Sequence, residues 1–239
     1  MSSPVITIER LDGAGTISVG NAAELVRRFA ELDRGIGYDR SIRSSPKDRI
    51  VAGDIEVLNR SMRTGSSYEH WRGLIGDPKP AWLGALAVSW DLSAITKEQW
   101  TRRCGQARME AAFAAMLGPY RGLSVVSKVL HPKRPKLIPI LDALVLEQLG
   151  AQARSQAPTA TKAHVAGQVV SHLRVQARAN QLALTTLQAG LARQGIGLSR
   201  IRLIDILLWM THPAVRLVPF DRRMTIAIMD SVAQQNSSR

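Results

Sequence analysis

The chain has a single cysteine, Cys104, among 239 residues, so it can close no internal disulfide and can build neither an iron–sulfur cluster nor a cysteine-based zinc site. A reducing compartment, the cytoplasm, fits that usage. Histidine is sparse too. His70, His131, His164, His172 and His212 include no pair at helical ligand spacing with an acidic partner, so no metal and no other cofactor is expected. No GxxxxGK[ST] loop occurs, which argues against an NTPase, and the clustered carboxylates of a two-metal nuclease are missing. No segment approaches the roughly 18 uninterrupted apolar residues of a membrane helix. The start, MSSPVITIER, lacks the charged head and apolar core of a secretory signal and reads as mature sequence.

Acidic residues are the scarce charge. Against 32 basic residues stand 19 acidic ones, a formal net charge of +13 spread along the chain rather than gathered in a tail. Such a surface points to a polyanion, and duplex DNA is the expected partner. A hydrophobic content of 45% is enough for a substantial core, and a monomer is expected.

The pattern is mainly α. Val5 to Ile8 and Thr16 to Val19 flank the turn Asp12 to Gly15 and predict a short N-terminal β-hairpin. Helices are expected from Asn21 to Gly35, over Ala52 to Met62, and from Thr96 to Leu117, ending at Gly118-Pro119. Residues 161–193 are helical in composition but too long for one ordinary helix, so a break is expected there. Ser199 caps a further apolar helix to Met210, and a last one begins near Asp221 or Arg222.

The stretch GLSVVSKVLHPKRPKLIPILD, residues 122–142, follows the turn LGPYRG with a helix, a basic loop and a lone carboxylate, Asp142, at the head of the next helix. This order resembles the helix-hairpin-helix DNA glycosylases of the endonuclease III and alkyladenine glycosylase superfamily. Aligned on Asp142, the family's Pro-Gly-apolar-Gly hairpin falls on Pro119, Tyr120, Arg121 and Gly122, so the proline and the second glycine match and the first glycine does not. Val126 takes the small apolar position inside the second helix, and Val129 and Leu130 continue its buried face. The segments KRPKLIPILD and RIRLIDILLWM also look like a family of uncharacterised bacterial proteins.

The resemblance implies one two-lobed domain over 1–239, with about 50–145 carrying the hairpin and the catalytic acid and with 1–50 and 146–239 completing the second lobe. It implies a DNA glycosylase that flips a base out of the duplex. Asp142 would stabilise the oxocarbenium-like transition state and orient the attacking water. Pro119, Tyr120, Arg121, Gly122, Ser124, Lys128, Lys133, Arg134 and Lys136 would hold the DNA backbone. Members that also nick the strand carry a lysine at the position of Ser124, whose hydroxyl forms no imine, so a monofunctional enzyme follows. Lys128, one helical turn on, is the residue that would make it bifunctional. The excised base would be a damaged one or a hypermodified base of phage DNA.

Competing readings remain open at this level. An Asp at a helix start is, on its own, an N-cap, and the hairpin can serve a DNA-binding protein without chemistry. A second glycine turn, apolar helix and acid occur in GIGLSRIRLIDILLWMTHPAVRLVPFD, which makes Asp221 the second choice for the catalytic acid. Asp205, three residues after Arg202, reads as one half of an ion pair that can support the site from behind. Most of the tryptophans and tyrosines read as core, with Tyr120 the exception because it lies in the hairpin.

Overall fold

A computed structural model describes residues 4–62, 64–77, 80–118, 120–151 and 158–216 and is mainly helical, with one two-stranded antiparallel sheet. Buried Ile6 and Ile8 alternate with exposed neighbours in β1 (Ile6–Glu9), which pairs with β2 (Thr16–Val19) in the register Ile6–Val19 and Ile8–Ile17. The helices are α1 (Ala22–Ile36), α2 (Tyr38–Ser41), α3 (Ala52–Met62), α4 (Ala81–Gly84), α5 (Lys97–Arg102) and α6 (Gly105–Met116). They continue as α7 (Leu123–Leu130), α8 (Ala143–Gln148), α9 (Thr159–Ala179), α10 (Gln181–Ala192), α11 (Arg200–Thr211) and α12 (Pro213–Arg216). Single 3-10 turns occupy Tyr68–Trp71 and His131–Lys133.

The break expected within 161–193 falls at Asn180, between α9 and α10. Its side chain docks the sheet edge, donating to Thr7 O at 2.7 Å and accepting from Thr7 N at 3.0 Å. Ser199 caps α11 as expected, its Oγ accepting from Arg202 N at 3.1 Å. The helix expected from Thr96 to Leu117 is instead two. Thr96 and Gln99 form a capping box on α5, but Cys104 adopts φ +49° and ψ +44°, and α6 restarts at Gly105. Packing explains the bend: the Trp100 ring lies so close to Gly105 that a Cβ there would overlap it. The expected start of a helix near Asp221 lies outside the described residues.

The buried apolar side chains form one contiguous cluster from Ile6 to Val215. α9 packs along α6, and α11 packs against both α1 and α8. That places α11 directly behind the segment leading to Asp142. Among the described residues no helix is long and apolar enough to cross a membrane.

Candidate active site around Asp142

The turn before α7 is tight. Gly118 N donates to Arg121 O at 3.2 Å and Arg121 N donates to Gly118 O at 3.0 Å, and Gly122 then caps α7 in an extended conformation. Arg121 does not point outward. Its Nε donates to Met116 O at 2.6 Å, its Nη1 to His70 O, and the guanidinium lies 5.6 Å from the centre of the Trp71 ring. Tyr120 is 71% exposed and stacks on His70 with ring centres 4.4 Å apart. Pro119 lies outside the described residues. In α7 the residues Val126, Val129 and Leu130 are buried as the pattern requires, while Ser124 and Lys128 are half-buried.

Asp142 caps α8, its Oδ1 accepting from Val145 N at 3.1 Å. The preceding backbone is fixed at three successive places. His131 Nδ1 meets Ile138 O at 2.5 Å, Asp205 Oδ2 accepts from Ile140 N at 2.9 Å, and Ser127 Oγ accepts from Leu141 N at 2.9 Å. Leu137, Ile138 and Leu141 have no exposed surface. The carboxylate therefore stands on a segment that cannot shift without breaking buried bonds, the kind of support a preorganised charge needs. Burial lowers the Lys128 ammonium below the usual lysine range, with Asp142 close enough to oppose that shift and Arg202 adding to it.

Behind the segment lies a buried ionic cluster. Arg202 reaches Asp39 through Nε at 2.9 Å and Nη2 at 3.1 Å, and Asp205 through Nη1. Its guanidinium lies 5.0 Å from the Phe29 ring centre and 5.9 Å from that of Tyr38. Although burial opposes its charge, Asp205 and Asp39 raise the Arg202 pKa. Burial pushes Asp205 up to about 7 against the pull of Arg202 and the Ile140 amide. Tyr38 Oη donates to Lys128 O at 2.6 Å, which joins α2 to α7. The Arg202–Asp205 pair was legible from its spacing. Asp39 and Tyr38 were not, because their partners lie on α11 and α7, far away in sequence.

The basic loop is not what its composition suggested. Lys133 has no exposed surface: its Nζ donates to Asp54 Oδ2 at 2.5 Å and to Ser45 Oγ at 2.8 Å. Burial lowers its pKa while Asp54 opposes the shift. Arg134, 4% exposed, spends its donors on four carbonyls, those of Leu86, Leu83, Lys47 and Lys133. Neither side chain is available to a phosphate, which corrects the expectation for both. Lys136 is exposed as expected. Asp221 lies outside the described residues. Among those described, no group of three or more His, Cys, Asp or Glu is placed to hold a metal.

Residues 37–212 match a family described as a family of unknown function, DUF6308. The chain belongs to the DUF6308 family. The matched region runs from just before Tyr38 to His212, so it takes in Asp39, Lys128, Asp142, Arg202 and Asp205. The N-terminal hairpin and Asp221 fall outside the DUF6308 match. No curated protein and no solved structure matches the chain.

Proposed function

We propose that this chain is a two-lobed helix-hairpin-helix DNA glycosylase that acts as a monomer on duplex DNA and hydrolyses the N-glycosidic bond of a modified base. The observation that carries the reading is Asp142, held at the head of α8 on a segment fastened by His131, Asp205 and Ser127. Cleavage of the glycosidic bond leaves positive charge on the deoxyribose, and a fixed carboxylate beneath the sugar lowers the energy of that state. Water is the nucleophile, oriented by Asp142, and the product is an intact abasic strand. Exposed Tyr120, backed by His70, offers a ring face to a base or to the gap the base leaves. Asp221 is the acid to test if Asp142 proves dispensable.

A second reading, in which the enzyme also nicks the strand, rests on the position of Lys128, one turn of α7 after Ser124: its amine would displace the base from the sugar carbon and, on ring opening, form an imine there. One experiment covers both. The protein is incubated with duplexes carrying damaged or hypermodified bases, released bases are identified by mass spectrometry, and strand breaks are compared before and after alkali, with borohydride in parallel. Base release with breaks only after alkali supports the monofunctional enzyme. A borohydride-trapped complex lost in Lys128→Ala supports the second reading. No released base from any duplex, with DNA binding intact, leaves a non-catalytic DNA-binding protein.

A further inference from the structure

The buried pair Lys133 and Arg134 reaches across to the stretch between α2 and α3 and fastens it. Lys133 bonds Ser45 Oγ, Arg134 bonds Lys47 O, and Lys47 Nζ returns the contact by donating to Pro132 O and Ile42 O, each at 2.6 Å. Four hydrogen bonds thus fix the loop.

That stretch, YDRSIRSSPKDRIVAGD over residues 38–54, carries four cations and three acids. Two of the acids are consumed internally. Asp39 is bound by Arg202, and Asp54 is bound by Lys133, by Ser45 Oγ at 2.7 Å and by Val51 N at 2.8 Å. Arg40, Arg43 and Arg49 are exposed, and among the described residues none of the three enters an ion pair. Half-buried Asp48 is the remaining acid of the stretch. The outward charge of the loop is therefore more positive than its composition, because folding hides its acids and shows its arginines. The same stretch borders the candidate site: Tyr38 bonds Lys128 O and Asp39 bonds Arg202.

We propose that the face formed by Arg40, Arg43 and Arg49 is the phosphate-binding surface of the protein and receives the sugar-phosphate backbone of duplex DNA beside Asp142. Guanidinium groups suit this role because their planar donors pair two at a time with phosphate oxygens. The tethers to Lys133 and Arg134 hold the loop backbone in advance, so less ordering is left to binding. This inference rests on the reading of the chain as a DNA-binding protein and is independent of any chemistry at Asp142.

The test uses the full chain and an unmodified duplex oligonucleotide, with affinity measured across a range of salt. Four proteins are compared: wild type, Arg40→Gln/Arg43→Gln/Arg49→Gln, Arg43→Gln alone, and a control with the same charge as the triple variant removed from exposed positions elsewhere, Lys97→Gln/Arg102→Gln/Arg193→Gln. Losing three phosphate contacts should flatten the log–log salt slope by about 2.7, so that between 50 and 200 mM salt the wild type weakens by about 40-fold more than the loop variant. The control should keep a slope close to that of wild type, and Arg43→Gln alone should remove about a third of the effect. An unchanged slope in the loop variant, or an equal loss in both triple variants, overturns the proposal. Failure of the wild type to bind duplex even at low salt would remove the DNA-binding reading with it. A catalytically silent protein with the expected slopes would leave this surface standing and sink only the glycosylase reading.

Discussion

A lysine without exposed surface must be matched by a buried partner, and Lys133 is matched by Asp54, 79 positions away. Removing one member of such a pair leaves an uncompensated charge in the interior. Lys133→Met is therefore expected to destabilise the fold by about 3 kcal/mol, measured by urea unfolding, with Lys133→Met/Asp54→Leu recovering part of the loss. A Lys133→Met protein as stable as wild type would mean that this lysine sits in water. His131 supplies a second test. It is fully buried, and burial lowers its pKa to about 4. The unfolded chain binds a proton near pH 6.5 that the folded chain refuses until about 4, so the contribution of His131 is complete above the unfolded pKa and is lost as pH falls through that window. The stability difference between wild type and His131→Gln should accordingly shrink by about 3 kcal/mol between pH 6.5 and 4. Comparison with the variant is needed because Asp205, raised to about 7, pulls the other way over much of the same range. At this scale the sequence conveyed which residues are charged and which are apolar. It did not convey that KRPK holds two buried cations, because that depends on carbonyls and an aspartate brought in from elements distant in sequence.

Elements were more legible than contacts. The β-hairpin, α1, α3, α7, α8, the break at Asn180 and the Ser199 cap all follow from local signals: alternation, capping residues, glycine turns and helix length. The bend between α5 and α6 does not, since a lone glycine such as Gly105 is tolerated inside a helical pattern and what decides the bend is the Trp100 ring against Gly105. Two substitutions probe it. Gly105→Ala should cost about 1–3 kcal/mol in thermal or urea unfolding, because the added methyl meets an indole already packed in the core. Cys104→Gly should stabilise by up to about 1 kcal/mol, since glycine takes the left-handed conformation without strain. If Gly105→Ala is neutral, α5 and α6 are not held apart by that contact. The short pieces α2 and α4 escaped detection for a simpler reason: four residues are too few to show a helical period.

Over the whole molecule, the candidate site is a meeting of parts. α7 brings Lys128 and Ser127, the buried segment before α8 brings Asp142, α11 brings Arg202 and Asp205, and α2 brings Tyr38 and Asp39. Asp142 and Lys128 were accessible to sequence reasoning because they sit inside one local pattern, the turn, helix and acid. The ionic cluster behind them was half accessible, through the Arg202–Asp205 spacing alone. The net charge of +13 made a polyanion the natural partner, and the structure redistributes that charge by burying Lys133 and Arg134 and exposing Arg40, Arg43 and Arg49. The central claim is that the Asp142 carboxylate carries the chemistry. Asp142→Asn keeps the size of the side chain and an oxygen for the cap on Val145 N, so fold and duplex affinity should be preserved while base release from a substrate duplex falls by at least ~100-fold. Release at the wild-type rate from Asp142→Asn, with binding unchanged, would contradict it.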